Sequence, residues 1–136
     1  MLATLRRSQV PVVSIIDDDK SVRAATNRLV RSLGFEAHTF SSAEEFLRSA
    51  QRSNSSCVIA DIRMPGMSGV ALQKLLIDEG QHLPIIFITA FPEETMRTQA
   101  LETGAIAYLS KPFDGKTLIK CLGAALKGPN DEPVKP

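Results

Sequence analysis

Cys57-Val58-Ile59-Ala60-Asp61-Ile62-Arg63-Met64-Pro65-Gly66-Met67-Ser68-Gly69 is a short apolar run that ends in one carboxylate and passes at once into a Pro-Gly turn and a second glycine. Strands that are apolar throughout belong to parallel sheets covered by helices on both faces, and such sheets bind ligands at the carboxyl ends of their strands. Asp61 is therefore placed where chemistry is expected. Aspartate is also a common turn residue, so the stretch alone fits a plain strand-to-turn ending equally well. The other strand ends decide between the two.

Val12-Val13-Ser14-Ile15-Ile16 is a second buried strand, stopped abruptly by Asp17-Asp18-Asp19. Val22, Ala25, Leu29, Val30 and Leu33 then recur at helical spacing, with Asp19 placed to cap the start and Gly34 to end it. Phe35 to Phe40 reads as a short strand, and Ser42 with Glu45 forms a capping-box pattern before Phe46 and Leu47. The polar stretch Gln51 to Ser56 reads as a loop.

Beyond Asp61, Ser68 caps a predicted helix that carries Leu72, Leu75 and Leu76 inward and closes at Gly80. Pro84 to Ile88 is a strand ending at Thr89-Ala90. Pro92 suits a first helical position, so Glu93 to Thr103 is a predicted helix before Gly104, with a weak apolar face of Met96 and Ala100. Ala105 to Leu109 is the fifth strand, ended by Ser110-Lys111-Pro112. Leu118, Cys121, Leu122 and Ala125 line a final helix, and the Pro-rich tail 128–136 is expected to be disordered. Five strands alternating with five helices predict an α/β fold: one open, five-stranded parallel sheet, doubly wound as (βα)5.

With 136 residues the chain suits one domain, taken as 11–127 after an N-terminal extension of residues 1–10. A hydrophobic share of 43%, a charged share of 23% and a formal charge of +1 give no global excess for holding nucleic acid or an anionic membrane. Cys57 and Cys121 lack zinc-site spacing and read as reduced core thiols. Without an apolar leader or a stretch of transmembrane length, a cytoplasmic protein is expected.

Asp17, Asp18 and Asp19 after the first strand, Asp61 after the third, Thr89 after the fourth and Lys111 after the fifth can converge on one crevice. Clustered carboxylates repel unless a cation sits among them, and hard oxygen donors favour Mg²⁺. Metal, ammonium and hydroxyl together suit a phosphoryl group, and an aspartate can itself be the nucleophile that accepts one.

The order Ile16-Asp17-Asp18-Asp19, Asp61-Ile62-Arg63-Met64-Pro65-Gly66-Met67-Ser68-Gly69, Thr89-Ala90 and Lys111-Pro112-Phe113 resembles the receiver domain of two-component response regulators, with its CheY-like, flavodoxin-like fold. The resemblance spans Pro11 to Lys127. It implies that Asp61 accepts a phosphoryl group from a sensor histidine kinase or a histidine phosphotransfer protein. It also implies Mg²⁺ held by Asp18 directly, by Asp17 partly through water, by Asp61 and by the backbone carbonyl of Arg63. Thr89 would turn its hydroxyl to the phosphoryl oxygen, Lys111 would pair with Asp61 or its phosphate, and Lys111-Pro112 would be a cis peptide. Tyr108 matches the aromatic switch position, although an aromatic in a strand is also ordinary.

Asp19 reads as a helix cap rather than a ligand, and His38 and His82 as structural or exposed. Gly115-Lys116-Thr117 has the ending of a phosphate-binding loop, but Ser110 stands where that motif needs glycine. Two rival readings remain. A Mg²⁺-dependent phosphohydrolase with an aspartate nucleophile wants an acid two residues after it, where Arg63 stands, so any hydrolysis is expected to be slow autodephosphorylation. A receiver cut from a DNA-binding regulator would lack its output module, and about nine residues after the last helix leave no room for a helix-turn-helix. A single-domain receiver without nucleic-acid or membrane contact is expected, as monomer or phosphorylation-dependent dimer. Arg63 and Phe91, each two residues beyond a site residue, are expected to restrict water at Asp61 and so lengthen the phosphorylated lifetime.

Overall fold

The computed structural model describes residues 10–126, so most of the N-terminal extension and the whole polar tail lie outside the described residues. Its elements in chain order are β1 (Val12–Ile16), α1 (Lys20–Ser32), β2 (Glu36–Phe40), α2 (Ala43–Leu47), α3 (Gln51–Asn54), β3 (Cys57–Asp61), α4 (Gly69–Asp78), β4 (Ile85–Thr89), α5 (Glu94–Glu102), β5 (Ala107–Ser110) and α6 (Gly115–Leu126). All strand pairs are parallel and the sheet order is β2-β1-β3-β4-β5. The chain moves outward from β1 to β2, then returns across β1 to build β3, β4 and β5 on its other side. That reversal opens a crevice between the ends of β1 and β3.

β3 and β4 are buried at every residue, as their apolar sequences require. Alternate side chains leave the sheet on opposite faces. Val58, Ala60 and Phe87 join Phe46, Leu72, Leu76 and Ala100 in one core. Cys57, Ile59, Ile86 and Ile88 join Val30, Leu118 and Leu122 in the other. Each fully buried aliphatic or aromatic side chain contributes roughly 1.5–3 kcal/mol, so both layers hold the sheet's central strands fixed.

The predicted caps form. Asp19 accepts from the amides of Ser21 and Val22 at 2.9 and 3.2 Å, and Ser68 Oγ accepts from Ala71 N at 3.1 Å. Ser42 Oγ accepts from Glu45 N at 3.0 Å, while Glu45 Oε1 reaches one residue further back than a capping box requires, to the amide and hydroxyl of Ser41.

Several expectations change. Gln51–Asn54 is a short helix, not a loop, so the helical segments number six among the described residues. β5 begins at Ala107, so Ala105 and Ile106 precede the strand, although the Ile106 amide already bonds to Ile85 O at the start of β4. α5 begins at Glu94, with Glu93 at the cap making no side-chain capping bond, so Pro92 stands ahead of the helix. On α1 Thr26, not Ala25, is buried alongside Val30, its hydroxyl satisfied by Val22 O at 2.8 Å. On α4, Gln73 is buried as deeply as its leucines, donating to Ala100 O at 3.2 Å.

Candidate functional site

The parallel register levels the strand ends that carry polar groups. Ile16 pairs with Ala60, Asp61 with Ile88, and Thr89 with Ser110, so the residues that follow meet at one edge. Asp17 is completely buried there, tied by its amide to Phe40 O, by its carbonyl to the Arg23 guanidinium at 2.7 Å, and by Oδ1 to Asp19 N at 2.8 Å. Asp18 is exposed and Asp61 is 5% exposed. One carboxylate oxygen from each of Asp17, Asp18 and Asp61 lies within 4.8 Å of the others. Asp19 is the cap foreseen and stays out of the cluster.

A single cation enters from β5. Lys111 Nζ stands 3.0 Å from Asp17 Oδ2 and 3.1 Å from Asp61 Oδ2, with its side chain 13% exposed. The Lys111-Pro112 peptide is cis, and the Lys111 amide donates to Thr89 O at 2.8 Å, which fixes the backbone from which the side chain departs. Two buried carboxylates thus share one ammonium, and the charges do not balance.

The acid–base properties follow from that imbalance. Burial raises the Asp61 carboxyl above its ordinary range; the Lys111 hydrogen bond opposes this and the Asp17 charge adds to it. Burial alone would lower the Lys111 ammonium, yet its hydrogen bonds and charges with Asp17 and Asp61 outweigh that and hold it above its usual value. The buried Asp17 Oδ2 accepts no hydrogen bond, because the nearby ammonium lies off hydrogen-bonding geometry. A buried carboxylate oxygen without a hydrogen-bond donor, paired only with an ammonium that Asp61 shares and set beside two further acids, belongs to a donor set that fits a hard divalent cation such as Mg²⁺.

Thr89 is buried at the end of β4, and its Oγ1 accepts from Phe91 N at 3.1 Å. Tyr108 on β5 is half-buried; its hydroxyl accepts from Glu93 N at 3.3 Å, at the start of α5. The Arg63 amide donates to Asp61 Oδ1 at 3.3 Å, keeping its backbone against the acid. Its side chain turns outward: the guanidinium lies 5.3 Å from the centre of the Phe91 ring and bonds Glu93 Oε2 at 2.8 Å. The sequence pairs Arg63 with Phe91, each two residues beyond a site residue. Glu93, which bonds Arg63, is not visible in the sequence, because only the folded crossing of two loops brings position 93 to position 63.

Gly69 closes the site from below. A Cβ there would stand 2.4 Å from Asp61 O and 3.0 Å from the Phe87 ring, so only glycine lets α4 start this close to the acid. His82 is exposed and His38 pairs with Glu36 on β2, both remote from the carboxylates in sequence and role. Cys57 and Cys121 are free thiols. Among the described residues no helix is long and apolar enough to cross a membrane.

The family model of the response regulator receiver domain matches residues 13–123. The response regulator protein TodT of Pseudomonas putida is 42% identical over 116 residues, covering 85% of this chain and 51% of that protein. The transcriptional regulatory protein TdiR of Thauera aromatica is 38% identical over 114 residues, covering 84% of this chain and 50% of that protein. The solved chemotaxis protein CheY4 of Vibrio cholerae superposes with a TM-score of 0.77 at 28% identity, covering 86% of this chain and 99% of that one. This chain spans about half the length of the curated relatives it matches. By its matched residues and its five-stranded parallel fold, the chain belongs to the response regulator receiver domain family.

Proposed function

We propose that this receiver accepts a phosphoryl group on Asp61 from the phosphohistidine of a sensor kinase or phosphotransfer protein, and passes the signal to a partner through the surface of α5, β5 and α6. The observation that carries the reading is the Lys111 ammonium shared between Asp17 and Asp61, beside an Asp17 oxygen that lacks a hydrogen-bond partner. In the transfer, an Asp61 oxygen bonds to phosphorus as the phosphorus–nitrogen bond breaks, and the imidazole leaves with that electron pair. Asp17, Asp18, Asp61 and the Arg63 carbonyl would hold Mg²⁺, which supplies charge neutralisation for the incoming oxygens.

Lys111 contributes fixed positive charge at the acid, and Thr89 contributes a hydroxyl that exchanges its bond to Phe91 N for one to the phosphoryl group. That exchange loosens the loop leading to Glu93, whose amide holds the Tyr108 hydroxyl. Tyr108 then turns and alters the surface of α5, β5 and α6, where phosphorylation-dependent pairing of two copies would also form. Arg63 and Phe91, stacked on each other two residues beyond Asp61 and Thr89, offer no base to a water, so dephosphorylation is slow and the protein is a cytoplasmic signalling component rather than a turnover enzyme. A second reading rests on the length of the relatives: the chain is the receiver half of a transcriptional regulator. Detection of the native gene product at about twice this size would establish it.

The first test is Mg²⁺-dependent labelling by acetyl phosphate, read by intact mass on the wild type and Asp61→Asn. One added phosphate that needs Mg²⁺ and is absent from the variant is the expected result. Labelling that survives Asp61→Asn would move the acceptor to another acid. No label on either protein would leave a binding module that works without phosphorylation.

A further inference from the structure

One side chain from a helix outside the crevice reaches the loop beneath it. Glu44, in the first turn of α2, accepts from Met67 N through Oε2 at 2.9 Å, across 23 positions of sequence. Gly66, with φ of +81°, makes room for it: a Cβ at Gly66 would stand 2.7 Å from the same oxygen. The bonds to its own amide and to that of Met67 hold the Glu44 carboxyl below its ordinary range, so it is ionised at neutral pH.

The loop so held runs from Ile62 to Ser68. At its beginning, Gly69 N donates to Ile62 O at 2.9 Å and Arg63 N donates to Asp61 Oδ1, while Ile62 and Met64 are buried. Among the described residues its far half has one long-range polar tether, the Glu44 carboxylate. Between these two anchorages lies the carbonyl of Arg63, which the receiver reading assigns to the cation. A carbonyl ligand contributes to affinity in proportion to how well its peptide is held in place before binding.

We propose that Glu44 is a positioning residue for the metal site, holding the 62–68 loop so that the Arg63 carbonyl stays directed at the cation. The proposal rests on the receiver reading. Glu44 also sits where a carboxylate favours a helix N-terminus, and that effect would appear in stability alone. Charge near a cation is a further confounder, because it would act without touching the loop.

Three variants separate these effects when Mg²⁺ binding is measured by calorimetry and metal-free stability by thermal melting. Glu44→Gln keeps an oxygen within reach of Met67 N and loses the charge, Glu44→Asp keeps the charge and loses the reach, and Glu44→Ala loses both. The expected pattern is Mg²⁺ affinity lowered about tenfold in the Asp and Ala variants and near the wild-type value in the Gln variant, the size typical of groups that orient a ligand. Affinity unchanged in Asp and Ala would overturn the proposal, and so would a loss in Gln equal to that in Ala, which would assign the effect to charge. A wild type that binds no Mg²⁺ would overturn the receiver reading itself, and this proposal with it. If Glu44→Ala fails to fold, the Asp and Gln pair still decides the matter.

Discussion

Of the two loops that flank Asp61, the one after β3 is tied into the interior, whereas the one after β4 is held by contacts at the surface. On the first, Ile62 and Met64 are buried, Gly69 is pressed against the Asp61 carbonyl, and Glu44 reaches in from α2. On the second, Phe91 is 63% exposed, Glu93 stands at the cap of α5 without a side-chain capping bond, and α5 buries only Ala100. The two loops meet through Arg63, whose backbone belongs to the fixed loop and whose guanidinium rests on Phe91 and Glu93 of the other. A site that must hold a cation and an acid in register, and also report a change of state, divides these duties between a stiff wall and a yielding one. Surface contacts of a few tenths of a kcal/mol are small enough for a phosphoryl group to overturn.

The sharpest way to break the contrast is Gly69→Ala. Its Cβ would meet backbone and a core ring, neither of which can give way, so the unfolding free energy should fall by about 3 kcal/mol or more in denaturant titration. A loss below 1 kcal/mol would mean that the wall after β3 yields as easily as its counterpart.

Cys57, at the foot of the same strand, offers a second probe. Burial pushes its thiol up to about 12, so below the unfolded-state value of roughly 8.5 the thiol is neutral in both states and has no effect on the balance. As pH rises above that value the unfolded chain ionises first and stability is lost until the folded thiol also titrates. At pH 9.5 the loss from this one group is about 1.4 kcal/mol. Cys57→Ala should therefore show a shallower decline between pH 7.5 and 9.5 than the wild type, and parallel declines would place the thiol in reach of water.

The smallest effects belong to the yielding wall. Phe91→Ala removes an exposed cation–π contact worth about 0.5–1 kcal/mol, so the Asp61 phosphate should hydrolyse roughly two- to fivefold faster while the melting temperature hardly moves. An unchanged rate would remove Phe91 from the account of phosphate lifetime.

The stiff wall was also the legible one. Apolar runs that stop at Asp17, Asp61 and Thr89 announce buried parallel strands and what lies at their ends, because burial on both faces leaves its mark on every residue of a strand. What escaped the sequence was set by partners distant along the chain. Glu44 looks like one more acid in a helix's first turn until Met67 N is found beside it, and Gln73 looks exposed until Ala100 O receives its amide. Thr26 displaced Ala25 from the inward face for a local reason, a hydroxyl bonded back to its own helix.

Tyr108 is the only tyrosine in the chain, and there is no tryptophan. Excitation near 280 nm therefore yields ultraviolet emission that originates almost wholly from one phenol, the one whose oxygen accepts from Glu93 N. The molecule carries its own unlabelled optical probe at the junction of β5 and α5. Any movement of that ring on phosphorylation would be recorded in real time, with no dye attached and no second fluorophore to subtract.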